Sequence, residues 1–206
     1  DLRTKDHRPL YEASQTLLPT LPLFIIEPEY WKRPYASPRQ WYFLRDCLID
    51  LNTACVKLGQ PLIVKKGEAI PIFEELKEIY TIKRIWAHEE TGDDWTYKRD
   101  IHVRKWCRLN SIKFTEHPYN GVVRGLKNRD SWAKIRNQQV YSQIIPEPEK
   151  LKPVPIKCMT KIPKKHDSLF ERHFGDNIQL GGRSEALSLF QSFKNNRGKD
   201  YLFNIS

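Results

Sequence analysis

A chain of 206 residues, 39% hydrophobic and 29% charged, can bury one good core plus a linker, and it holds no apolar run of membrane-spanning length. Four cysteines without CxxC spacing (Cys47, Cys55, Cys107, Cys158) argue against a disulfide scaffold and for free thiols in a reducing, cytoplasmic setting. The net charge of +10 is uneven: residues 1–100 are close to neutral and the excess Lys and Arg fall in 101–206, which suits a polyanion, an acidic neighbouring domain or a lysine-rich solvated linker.

In chain order, DLRTKDHRPL (1–10) sets Asp1, Arg3, Asp6, His7 and Pro9 directly before an apolar run. Asp6 can cap the helix that follows, and Pro9 is tolerated in its first turn. TLPLFII (20–26) reads as a buried strand. Ser37 and Pro38 open a helix with Leu44, Leu48, Leu51, Cys55 and Leu58 at helical spacing, closed by Gly59. PLIVKK (61–66) is the next strand, and Ile70–Tyr80 a helix with Phe73, Leu76 and Tyr80 on one face. RIWAH (84–88) is a strand, Asp93 or Asp94 caps a helix holding Val103, Trp106 and Cys107, and IKFTE (112–116) is the last strand. Strand–helix alternation of this kind implies right-handed crossovers and an open parallel sheet with helices on both faces.

The pattern changes after residue 118. One helix is expected over 130–139 with Trp132 and Ile135 inward. Residues 142–166 hold five prolines and read as extended linker. A last helix from about Ser184 presents Leu187, Phe190 and Phe193 as an apolar face.

No catalytic set emerges. The sequence lacks a GxSxG elbow, an HExxH or Cys/His cluster, a phosphate-binding GxxxxGK[ST] loop and a GxGxxG turn, and Gly181-Gly182 lies outside any βαβ unit. What remains is position: ligands of open parallel sheets bind beyond the carboxyl ends of the strands, at the switch in strand order. The rim residues there are Arg3 and Asp6, then Glu27 and Pro28, then His88, Glu89 and Glu90 with Asp93, Asp94 and Trp95, and finally His117. An adjacent pair such as Glu89-Glu90 most often only solvates a loop, and the Asp1/Arg3/Asp6 set most often forms a structural salt-bridge network. Trp41, Trp86 and Trp106 are most simply core.

The start of the chain, together with LPLFIIEP (21–28), SPRQWYFLRDCL (37–48), HEETGDDWTYKRD (88–100), NGVVRGLKNRDSW (120–132) and GGRSEALSLFQSF (181–193), resembles the photolyase/cryptochrome family in the same order. The resemblance implies a Rossmann-like five-stranded parallel sheet whose first strand precedes Asp1. It divides the chain into an antenna domain (1–125), a linker with one short helix (126–180), and a first helix (181–206) leading into a helical FAD-binding domain beyond Ser206. In that family the rim holds an antenna chromophore that absorbs light and passes the excitation to the flavin. Arg3, Asp6, Ser37 and Arg99 sit on matching motif positions; Glu27, Pro28, His88, Glu90 and Asp94 join them as candidate antenna contacts. The carboxylate that holds folate in some members would fall near Thr96 and a histidine near Pro34. Neither matches, so a flavin-like, deazaflavin or lumazine antenna, or an empty pocket, is expected rather than folate.

The implied parent is a deoxyribodipyrimidine photolyase, a carbon–carbon lyase that binds damaged DNA and repairs pyrimidine dimers under light, with its own flavin domain as the second partner and no membrane. The alternative is a cryptochrome, a blue-light sensor without repair. A third reading, a free adenine-nucleotide-binding domain, suffers from having Arg3 but no glycine to cradle a phosphate.

Overall fold

The computed structural model describes every residue except Asp1, Leu17, Asn120, Met159, 166–177 and 205–206. Asp1 therefore lies outside the described residues. The elements run α1 (Arg8–Ser14), β1 (Leu23–Ile26), α2 (Pro28–Trp31), α3 (Pro38–Lys57), β2 (Ile63–Lys66), α4 (Ala69–Ile79), β3 (Arg84–His88), α5 (Asp94–Leu109), β4 (Lys113–His117), α6 (Trp132–Val140), α7 (Arg183–Asn195), a 3-10 turn at Arg197–Asp200 and α8 (Tyr201–Asn204).

Local chemistry explains most boundaries. Ser37 and Gln40 close a reciprocal capping box on α3, with Pro38 in its first turn. Gly59 follows with φ of +98°, a left-handed conformation that suits glycine just past a helix end. The Asp93 carboxylate accepts from Thr96 N–H at 2.8 Å and caps α5. At α1 the expected cap is corrected: His7 Nδ1, not Asp6, accepts the Leu10 N–H at 3.0 Å. Asp6 adopts φ of +55° and turns the chain, which aspartate tolerates better than most residues. Its N–H donates to Ile145 O at 2.9 Å and its carboxylate accepts from Ile145 N–H at 3.1 Å.

The mixed α/β fold is as expected, but the sheet is not continuous. β1 pairs with β2 in parallel, Leu23 opposite Ile63, and β3 pairs with β4 in parallel, Arg84 opposite Lys113. These form two two-stranded sheets. Between them lies a cleft of about 860 Å³ bordered by residues from both β1 and β3, so the spatial order is β2, β1, cleft, β3, β4. Helices cover both faces. On one, α3 buries Trp41, Tyr42, Leu48 and Cys55 against Ile26, Leu62 and Val64. On the other, α4 and α5 bring Ala69, Val103, Trp106 and Cys107 together with Ile25, Ile85 and Phe114. Trp41 and Trp106 are core residues, while Trp86 is only half-buried.

The described residues of 144–163 form no helix or strand, in keeping with their prolines, but they are fastened to the domain. Leu151 is fully buried, and its N–H donates to Leu58 O at 2.7 Å. Val154 N–H donates to Gln60 Oε1 at 2.6 Å, Val64 N–H to Thr160 Oγ1 at 2.8 Å, and Arg45 Nε to Pro163 O at 2.9 Å. A buried leucine turns a linker-like sequence into a strap. One apolar face was expected inward and is not. Trp132 is exposed, its indole N–H donating to Gly121 O at 2.8 Å. Leu187, Phe190 and Phe193 are exposed because α7 touches the domain mainly at its first turn. All four cysteines are free. Among the described residues no helix is long and apolar enough to cross a membrane.

Candidate functional site

The chain moves outward on one side of the cleft from β1 to β2, then crosses and moves outward on the other from β3 to β4. The cleft is therefore the switch point of the strand order, and its mouth at the carboxyl ends is the place where such folds bind ligands.

Arg99, projecting from α5, organises that mouth. Its Nη1 meets Glu27 Oε2 at 2.7 Å, its Nη2 meets Glu90 Oε2 at 3.2 Å, and its Nε and Nη2 both donate to Asp100 Oδ1 at 2.9 and 2.8 Å. Arg124 extends the network: Nη1 donates to Glu116 Oε1 at 2.7 Å, Nε to Glu90 O at 2.8 Å, and Nη2 lies 3.6 Å from Asp100 Oδ2. Arg104 closes it on Glu116 Oε2 at 2.5 Å. Burial raises the carboxyls of Glu27 and Asp100 above the usual carboxylate range, with the Arg99 charge acting in the opposite sense. Burial also opposes the charge of Arg99, but Glu27 and Asp100 outweigh it and hold the guanidinium protonated.

One oxygen escapes this pairing. Glu27 Oε1 is buried without a hydrogen-bond partner, on a residue only 5% exposed that lines the cleft. A buried acceptor in that state costs free energy until a donor reaches it.

The mouth is also aromatic. His7 and His88 meet edge to face at 4.7 Å, and His88 lies 5.1 Å from the Tyr119 ring. The Arg3 guanidinium sits 5.8 Å from the centre of Tyr119, and its Nη2 donates to Asp6 O at 2.8 Å. Burial lowers the His7 imidazole to about 3, with His88 adding to the effect. Burial, then Arg3, lowers His88 to about 4. Both rings are neutral at pH 7 and act as flat, hydrogen-bonding surfaces rather than as cations.

The structure thus brings Arg3, Glu27, His88, Glu90 and Arg99 together around one opening. Asp6 stands at its margin, held by Arg3 and the strap. Pro28 opens α2, with no chemistry of its own. Ser37 caps α3 through Gln40. Asp94 is largely exposed and pairs with Lys98 at 2.6 Å on the flank of a separate shallow hollow. Sequence reasoning passed over His7, Asp100, Glu116, Tyr119 and Arg124 as site residues. His7, Asp100 and Arg124 had a signal, since they lie in the DLRTKDHRPL, HEETGDDWTYKRD and NGVVRGLKNRDSW segments. Beside the mouth Tyr30 gathers Trp31, Tyr35 and Trp95 at 5.3, 6.1 and 6.1 Å, and Tyr35 hydrogen-bonds the capping carboxylate of Asp93.

A family model described as DNA photolyase matches residues 1–152. The chain belongs to the DNA photolyase family. It is similar to a cryptochrome DASH, chloroplastic/mitochondrial, of Arabidopsis thaliana, at 28% identity over 44% of this chain and 17% of that protein. Among solved structures it resembles a Synechocystis cryptochrome, with a TM-score of 0.78 and 20% identity over 98% of this chain and 46% of that one. It also resembles an archaeal photolyase from Sulfolobus tokodaii, described with two FAD molecules and an implied light-harvesting cofactor, with a TM-score of 0.71 and 23% identity over 92% of this chain and 44% of that one. The chain therefore spans less than half the length of these photolyase-family relatives.

Proposed function

We propose that these residues form the antenna-binding part of a light-driven flavoprotein, with the chromophore seated at the carboxyl-end mouth of the cleft. The observation that carries the reading is the buried Glu27 carboxylate on the cleft lining, whose Oε1 lies outside the Arg99 pairing, in a mouth that also holds the His88 and Tyr119 rings. A flat heteroaromatic with a ring N–H suits that set: the N–H donates to Glu27, and the rings cover its faces. Arg99 orients the Glu27 carboxylate, and Arg3 supplies a positive edge for an anionic group. Flavin, deazaflavin and lumazine rings all carry such an N–H. The two-FAD description of the Sulfolobus tokodaii photolyase favours the flavin.

The bound antenna supplies light absorption; no residue of the mouth needs to move a proton, and the rigid ion-pair network suits a holder rather than a reactive centre. Arg3, Asp6, Glu27, Pro28, Ser37, His88, Glu90, Asp94 and Arg99 remain the proposed contact and supporting set, with Ser37 and Asp94 contributing only by shaping helix starts. Within the whole protein we assign residues 1–125 to this domain, 126–180 to the connection and 181–206 to the lead-in of a helical FAD domain. The assembled flavoprotein would act on damaged DNA as a photolyase in the cytoplasm, where its thiols stay reduced.

The test is titration of the chain with FMN, a deazaflavin and a lumazine, followed by fluorescence quenching. Binding weakened about tenfold or more in Glu27→Gln supports the assignment, since one charge-assisted hydrogen bond is worth about 1.5–3 kcal/mol. Equal binding by the variant overturns it. The names of the Arabidopsis thaliana and Synechocystis relatives favour a second reading, a cryptochrome sensor. A dimer-repair assay on the full-length protein under blue light separates the two.

A further inference from the structure

Arg124 follows β4 in a segment whose other cations, Lys127 and Arg129, are exposed. Arg124 instead turns inward, its side chain 20% exposed. Its guanidinium reaches three elements. Nε donates to the Glu90 carbonyl beyond β3, Nη1 to the Glu116 carboxylate of β4, and Nη2 faces Asp100 of α5, whose other oxygen is held by Arg99. The Tyr97 ring of α5 lies 5.9 Å away.

Glu27 is not among these partners, yet charge links the two. The carboxylates of Glu27, Glu90, Asp100 and Glu116 are paired with three cations, Arg99, Arg104 and Arg124. That set carries one excess negative charge, and it would carry two without Arg124. Arg99, which serves Glu27, Glu90 and Asp100 at once, would then have to neutralise all three alone. Carboxylates packed this closely stay ionised only while cations match them; otherwise a proton enters the set.

Given the antenna reading of this mouth, we infer that Arg124 is a positioning residue of the site: acting through Arg99, it keeps Glu27 an ionised, oriented acceptor for the ring N–H of the ligand. The groups that bear on Glu27 come from every side. They are Arg99 with Asp100 behind it on α5, Glu68 ahead of α4, Glu90 after β3, and Arg3, His7 and His88 around the same opening. Burial raises the Glu27 carboxyl above the usual range against the pull of Arg99, and Glu68 adds to the rise. Burial raises Asp100 in the same way, with Glu90 and Glu116 adding to it. Loss of the Arg124 charge moves both carboxyls further up, and loss of the Glu116 charge moves both down. A ring N–H donates only to the ionised carboxylate, so binding is full above the Glu27 value and fades as pH falls through it.

The experiment titrates the chain, Arg124→Gln, Arg124→Lys and Glu116→Gln with FMN across the acid-to-neutral range, followed by fluorescence quenching. Arg124→Gln is expected to move the pH of half-maximal binding up by about one unit, as the loss of a neighbouring opposite charge does. Arg124→Lys should move it most of the way back, because the charge returns. Glu116→Gln, which keeps the shape and can still accept from Arg104 and Arg124, should move it down. A purely structural brace would weaken binding by the same factor at every pH in both Gln variants. That result, or an unmoved half-binding pH, overturns the inference. Should Arg124→Gln fail to fold, Glu116→Gln alone decides: a downward shift supports the assignment, and no shift or an upward one overturns it. Carbon NMR of the Glu27 and Asp100 carboxyls in the ligand-free chain reads the same shifts without any chromophore. Carboxyls that move as expected in a chain that binds no FMN condemn only the antenna reading, whereas FMN binding with unmoved carboxyls condemns only the role of Arg124.

Discussion

Helices α3 and α7 look alike as sequences and differ completely as structure. Both start after a turn, and both carry aromatic and leucine residues at helical spacing. α3 buries Trp41 and Leu48 to 0% exposure against β1 and β2. α7 leaves Leu187, Phe190 and Phe193 at 48, 59 and 36% exposure. Among the described residues, what holds α7 against α3 is mainly its first turn. Asp50 of α3 accepts from Arg183 N–H, Ser184 N–H and Ser184 Oγ at 2.8, 3.2 and 2.6 Å, and Gly182 N–H reaches Cys47 Sγ at 3.1 Å. The contrast teaches that periodicity announces a face needing cover, not the cover itself; in the proposed whole protein the face of α7 meets the flavin domain.

That contrast can be broken most forcefully at its buried end. Leu48→Ala should destabilise the chain by about 3 kcal/mol through lost burial and a cavity, whereas Phe190→Ala should change stability by less than about 0.5 kcal/mol. Urea unfolding of the two variants measures the difference, and equal losses would show that α7 is packed after all. Arg99→Leu is expected next, at about 2 kcal/mol, because Glu27 and Asp100 are left buried without their cation while Arg99 itself is partly solvent-screened.

Gly181→Ala acts locally. A Cβ there would stand 2.1 Å from Phe43 O, so the first turn of α7 must leave α3. Exchange protection should vanish over Arg183–Leu187 while β1–β4 keep theirs.

The smallest expected effect is electrostatic. His7 and His88 have folded-state values of about 3 and about 4, below the ordinary imidazole. As pH falls from about 6.5 toward about 4 the unfolded chain takes up these protons first, so their contribution to stability is full above that window and lost below it. Glu27 and Asp100, raised by burial, run in the opposite sense. Comparing Tm at about pH 7.5 and about pH 5 for the chain and for His88→Gln isolates the histidine part; the variant should lose less on acidification.

Much of the framework was legible because it is local. Ser37 with Gln40, Asp93, Pro38 and Gly59 satisfy or end helices using neighbours a few residues away, so α3, α5 and RIWAH could be read directly. The site was only half legible. Arg3, Glu27, His88, Glu90 and Arg99 could be placed at strand ends by topology, but their company could not. Arg124 reaches Glu90 across 34 positions and His7 meets His88 across a domain, and no spacing rule reports such pairs. Asp6 misled because its turn is fixed by Ile145, which lies far along the chain.

The amino-acid sequence alone determined the α/β alternation, the starts of α3 and α5, the free thiols and the family. Only the tertiary structure decided that the strands form two separated pairs, that Leu151 pins a proline-rich strap into the core, and that Arg99 ties three carboxylates into one network. The reason is range: capping and periodicity are satisfied within a turn or two of the chain, whereas an edge, a cleft or a buried charge exists only once distant segments have excluded water together.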